Sequence, residues 1–201
     1  KVLTGMRRVG KSTILKMLID TLLQQGVTDK RIVYINMESI CWDFIKDYKD
    51  LHAYVSDYFK DVSAESKYVF IDEVQEIKEW ERAVNSMLSE SYADIILTGS
   101  NAHLLGSDLA TFLSGRYIEF PVYPLTFKEF LNFRAGKDQS QREAFKLFLR
   151  YGGLPGIHNF DLTDDYAFQY LQSVYNTLVL KDVVSRHVIK DPAQLDLIIR
   201  F

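Results

Sequence analysis

The sequence predicts an α/β fold, a five-stranded parallel sheet with helices on both faces, followed by a smaller helical region. Three observations predict it. Short, unbroken apolar segments alternate with amphipathic ones through the first 125 residues. Those segments do not alternate apolar with polar, so they suit strands covered on both faces. After Pro124 the apolar spacing becomes helical throughout.

Val2–Leu3–Thr4 reads as the end of the first strand, running into a glycine loop. Ile14, Leu15, Leu18, Leu22 and Leu23 then fall at helical spacing, and Gly26 suits the left-handed residue that closes a helix. RIVYINM (31–37) is β-branched and aromatic and of strand length. Residues 43–60 form an amphipathic helical pattern, and Tyr68 to Ile71 is a short apolar strand leading into Asp72 and Glu73. Trp80, Ala83, Val84, Met87 and Leu88 trace a buried helix face. Asp94 to Thr98 is a fourth strand, and Tyr117 to Val122 a fifth. Helical patterns follow at 126–134, 142–151 and about 164–188, with the turn cluster YGGLPG (151–156) between two of them. The expected domains are therefore 1–125 and 126–201.

The chain has 201 residues, 47% hydrophobic and 25% charged, with a net charge of −3. These values exclude a disordered tail, a fibre and a disulfide miniprotein. Charge is unevenly spread. Residues 1–36 carry seven basic against two acidic side chains, and residues 37–80 five against eleven. The single cysteine, Cys41, reads as a small buried apolar residue. No apolar run nears 18 residues and no signal-peptide pattern opens the chain, so a cytoplasmic location is expected. The chain starts at Lys1 without a methionine and stops inside the apolar run Leu195 to Phe201, which suggests a fragment of a longer protein.

Residues 5–12 read GMRRVGKS, a complete G-x-x-x-x-G-K-S. Gly5 and Gly10 permit the tight turns that aim successive N–H groups at a phosphate, and the following helix adds the positive end of its dipole. Lys11 is placed to reach β- and γ-phosphates, and the Ser12 hydroxyl to ligate Mg²⁺. Gly5, Met6, Arg7, Arg8, Val9, Gly10, Lys11, Ser12 and Thr13 are the candidate nucleotide-binding residues.

Asp72 ends an apolar strand, where open α/β sheets bind ligands, and with Ser12 is the candidate metal residue. Glu73 follows as the candidate base that deprotonates a water for attack on the γ-phosphate. Twenty-six to twenty-nine residues beyond Asp72, the fourth strand ends Thr98–Gly99–Ser100–Asn101. Ser100 is the first candidate to face the γ-phosphate, with Thr98 and Asn101 next. Arg116, just before the fifth strand, is a candidate for neutralising transition-state charge, within the chain or on a neighbour's nucleotide.

In order, TGMRRVGKST, YVFIDEVQ, ILTGSNA, LSGRYIEFPVYPLTFKEF and YGGLP resemble the AAA superfamily of P-loop ATPases. The likeness is to prokaryotic ATP-binding AAA proteins, which pair the ATPase with a C-terminal domain of uncharacterised function. The resemblance implies sheet order 5-1-4-3-2, with Lys11 and Ser12 in Walker A, Asp72 and Glu73 in Walker B, and Ser100 near sensor 1. Arg116 matches the arginine-finger position only by preceding strand five, and Met6 stands where relatives often have proline. Residues 126–201 would be a helical lid or the start of a winged-helix-like domain.

The expected activity is Mg²⁺-dependent hydrolysis of ATP to ADP and phosphate, coupled to a conformational or assembly change. The alternative is a slowly hydrolysing switch or scaffold that binds a protein partner. A small-molecule kinase fits Glu73 less well, and no N-K-x-D guanine motif occurs. DNA and a homo-oligomer are further candidate partners. DNA rests on the resemblance, because residues 126–201 carry ten basic against nine acidic side chains and show no basic stripe. The aromatics of 117–133 read as core packing at the sheet-to-helix junction rather than as a platform for bases. The four histidines lack zinc-ligand spacing.

Overall fold

The computed structural model describes residues 1–63, 66–99, 113, 115–135 and 140–178. Its elements are β1 (Val2–Thr4), α1 (Lys11–Gln24), β2 (Ile32–Asn36), α2 (Tyr48–Tyr58), β3 (Tyr68–Asp72), α3 (Trp80–Ser89), β4 (Asp94–Thr98) and β5 (Glu119–Pro121). Three further helices follow: α4 (Phe127–Phe133), α5 (Gln141–Tyr151) and α6 (Asp164–Thr177). Among the described residues no helix is long and apolar enough to cross a membrane. The chain divides into two compact units, Lys1–Gly5 with Gly10–Val122, and Met6–Val9 with Tyr123–Phe201.

In the first unit all five strands are parallel, in the order β2-β3-β4-β1-β5. Read from the other edge, this is the expected 5-1-4-3-2. The chain moves across the sheet from β1 to β2, then returns through β3 to β4. Right-handed crossovers in opposite directions put their helices on opposite faces. Accordingly, Leu15 of α1 packs with Leu3, Ile32, Phe70 and Ile96. Leu51 and Val55 of α2 and Ala83, Val84 and Met87 of α3 pack with Val33, Ile35, Val69, Ile71, Ile95 and Leu97. Neighbours along one strand thus serve different faces, which is why the strands read as unbroken apolar runs.

Local chemistry sets the element ends. Past α1, Gly26 at φ 86° donates to the Leu23 carbonyl and Val27 to Leu22, a Schellman closure. Helix α2 starts later than the amphipathic pattern suggests, because the Asp47 side chain caps it by accepting from the N–H groups of Lys49 and Asp50. Ile40–Trp42, ahead of that pattern, forms a 3₁₀ turn. Cys41 lies on that turn and is exposed, so the expectation of a buried thiol is corrected. Trp42, not Cys41, turns inward, packing edge-on to Tyr54 with ring centroids 5.3 Å apart. Strand β5 is an exposed edge of three residues, shorter than expected. Pro121, without an N–H, is tolerated there.

In the second unit α4 begins with a reciprocal capping box between Thr126 and Glu129. Fully buried Phe130 sits against Phe148 and His158 at centroid distances of 5.3 and 4.8 Å. The Asp164 carboxylate of α6 accepts from the Arg150 guanidinium and the Tyr151 hydroxyl of α5. Gly153 of the turn cluster is required by proximity, since a Cβ there would stand 2.3 Å from the Leu125 carbonyl oxygen. The aromatic stretch 117–133 is only partly core. Phe130 is buried, whereas Phe120, Tyr123 and Phe133 are exposed. The expected helix beyond residue 178, and the run Leu195 to Phe201, lie outside the described residues.

Candidate functional site

The site gathers at the carboxyl ends of the parallel strands. β1 ends at Thr4, the chain turns through Gly5 at φ 148°, and it enters α1 through Gly10 at φ 103°, ψ 16°. Both glycines occupy backbone that L side chains avoid. Arg8 is also left-handed, at φ 70°, which costs about 1–2 kcal/mol for a residue with a Cβ. Among the described residues no side chain caps α1, and the positive end of a helix dipole with its leading N–H groups favours an anion.

Lys11, the first residue of α1, is only 4% exposed, and its Nζ donates to the Gly5 carbonyl at 3.0 Å. The ammonium is therefore held across the loop rather than out in solvent. Ser12 follows half-buried, and Thr13 is exposed. Of the intervening residues Val9 is buried, Met6 and Arg7 are half-buried and Arg8 is exposed. Burial pushes the Tyr170 hydroxyl upward in pKa, and the Arg8 charge partly offsets the shift.

Two strands away, Asp72 ends β3 at 1% exposure. Its Oδ1 accepts the Thr98 hydroxyl and its Oδ2 accepts the Tyr34 hydroxyl at 3.1 Å. Burial, then the Asp72 charge, push the Tyr34 hydroxyl far above its ordinary pKa, so it remains a donor to the carboxylate. Glu73 turns left-handed at φ 56°, ψ 53°, and is 7% exposed. Its N–H donates to Thr98 Oγ1 at 3.0 Å, and its carboxylate accepts the Gln75 amide.

β4 lies between β3 and β1, as the expected order requires, and Thr98 is fully buried at its end. Its hydroxyl is already used, donating to Asp72 and accepting from Glu73. These two bonds tie the acidic pair to the end of β4. Ser100 and Asn101 lie outside the described residues. Arg116 is exposed and is not brought to the loop. The Ile118 carbonyl accepts the Val2 N–H, Glu119 stands opposite Val2, and β5 runs parallel to β1, so Arg116 sits at the sheet's amino-terminal end. Gly5, by contrast, follows the carboxyl end of β1.

Sequence reasoning missed Tyr34 and Gln75. The available signals were a hydroxyl in an apolar strand, and an amide two residues beyond a proposed base. The donor set suits Mg²⁺, a hard ion that takes oxygen ligands and usually needs only one or two carboxylates beside phosphate and water. Ser12 and Asp72 supply a hydroxyl and a carboxylate.

The family model described as AAA domain matches residues 1–131. An uncharacterised protein of Haemophilus influenzae is 37% identical over 203 residues, covering 100% of this chain and 50% of its own length. The uncharacterised protein MJ1544 of Methanocaldococcus jannaschii is 30% identical over 205 residues, covering 95% of this chain and 43% of its own. The chain thus spans about half the length of the curated relatives it matches. The crystal structure of Cdc6p from Pyrobaculum aerophilum shares the fold at a TM-score of 0.50 and 14% identity, covering 86% of this chain and 55% of that one.

Proposed function

The chain belongs to the AAA domain family of nucleotide-binding ATPases, and we propose that it binds ATP with Mg²⁺ and hydrolyses it to ADP and phosphate. One observation carries this reading. A left-handed glycine loop with a buried lysine, and a buried Asp–Glu pair, stand at the same ends of a parallel sheet, on β1 and β3 with only β4 between them.

The N–H groups of residues 5–13 would bind the phosphates, and Lys11 would exchange its bond to the Gly5 carbonyl for β- and γ-phosphate oxygens. Ser12 and Asp72 would hold the metal, with Thr98 and Tyr34 fixing the carboxylate's orientation. When bound, Mg²⁺ draws off charge developing on the phosphate oxygens. Glu73 would accept a proton from the attacking water as its oxygen bonds to the γ-phosphorus and the bond to ADP breaks.

Turnover would drive a conformational or assembly change, and Ser100 remains the proposed γ-phosphate contact. Arg116, at the far end of the sheet, would act on a neighbouring copy's nucleotide, consistent with a homo-oligomer. The test is phosphate release from Mg-ATP by the intact protein beside Lys11→Ala, with and without duplex DNA. We expect turnover in the wild type and loss of both ATP affinity and turnover in the variant. Unchanged affinity in Lys11→Ala would refute the site. Stimulation by duplex would add DNA to the reading, and tight binding without turnover would favour the slow switch.

A further inference from the structure

Gln75 lies on the 3₁₀ turn Val74–Glu76 that follows Glu73, and the turn folds its side chain back onto the residue two before it. Its Nε2 donates to Glu73 Oε2. Its Oε1 is buried and has no hydrogen-bond partner among the described residues. Reversing the amide would set that oxygen against the carboxylate, acceptor facing acceptor, so Glu73 alone decides which way the amide points. A buried carbonyl left unpaired does nothing for stability, since such groups are ordinarily satisfied. Glu73 is itself held in unfavourable left-handed backbone, tied through its N–H to Thr98. Two unfavourable features therefore converge on one carboxylate.

We propose that Gln75 is a positioning residue for ATP hydrolysis. Its amide fixes Glu73 Oε2 and leaves Oε1 as the atom that takes the proton. The proposal rests on the hydrolytic reading above. In the step it serves, a water O–H breaks and its proton passes to Glu73 Oε1. The freed electron pair forms the oxygen bond to the γ-phosphorus, and the bond to the bridging oxygen breaks toward ADP.

The test compares the wild type with Gln75→Met, Glu73→Gln and the double variant in the intact protein, measuring kcat, KM for Mg-ATP and thermal midpoint. Methionine keeps the length of the side chain and removes both the donor and the unpaired acceptor, so the midpoint should hold or rise. We expect kcat to fall about 10- to 100-fold, because small misplacement of a reacting group costs this much. KM should stay within about twofold, since Gln75 touches no phosphate in this role. The double variant should turn over no more slowly than Glu73→Gln alone, because both changes act through one carboxylate. Gln75→Glu, which sets a like charge against Glu73, should lose kcat as well. Wild-type kcat in Gln75→Met beside an inactive Glu73→Gln would overturn the role of Gln75 alone. Full turnover in Glu73→Gln, or none in the wild type, would overturn the hydrolytic reading together with it.

Discussion

Thr98 carries a hydroxyl in a position where valine, of the same shape, would pack equally well. Its Oγ1 donates to Asp72 and accepts the Glu73 N–H, joining both acidic residues to the neighbouring strand. Thr98→Val would leave a buried carboxylate oxygen and a buried N–H unpaired, at about 1–3 kcal/mol for each such group. We expect a denaturant midpoint shifted by that order and kcat reduced about tenfold or more, with ATP still bound through Lys11. An unchanged kcat would show that Asp72 needs no buttress. The role of Thr98 was not legible because a run such as DIILT does not say which neighbour lies beside its last residue. Register supplies that, with Leu3 opposite Thr98 and β3 on the other side. Tyr34 escaped notice for the same reason, since its partner Asp72 is reached only across the β2–β3 pairing.

Elements were more legible than contacts, because apolar spacing and end chemistry are local. The α1 closure at Gly26 and the strand Asp94–Thr98 stand where the sequence places them. Helix α2 was misjudged at its start because Asp47 overrides the apolar pattern before it. Helix α3 closes as α1 does, with Ser91 donating to the Leu88 carbonyl and Tyr92 to Met87. There, however, Ser91 stands at φ 51° where α1 has glycine. Ser91→Gly relieves about 1–2 kcal/mol of left-handed strain and gives back part of it in chain entropy. We expect a net gain of about 0.5–1 kcal/mol in chemical unfolding, with ATP turnover unchanged. A loss of stability would mean that the Ser91 side chain does more than occupy the turn.

For the whole molecule, the sequence made the sheet legible because each buried strand is a run that no helix or edge strand would need. Its order then followed from the family resemblance. Charge pointed the same way: the basic first segment holds the glycine loop, and the acidic second one holds Asp72 and Glu73. The proposed centre draws on β1, β3 and β4, so the central claim is one about division of labour. In the proposed reading the loop and Lys11 would bind nucleotide, while Glu73 would serve only the chemical step. The direct measurement is ATP affinity and phosphate release in parallel for wild type and Glu73→Gln. The account predicts affinities within about twofold and phosphate release slowed about 100-fold or more, as expected for removing a general base. Equal rates of phosphate release from the two proteins would contradict it.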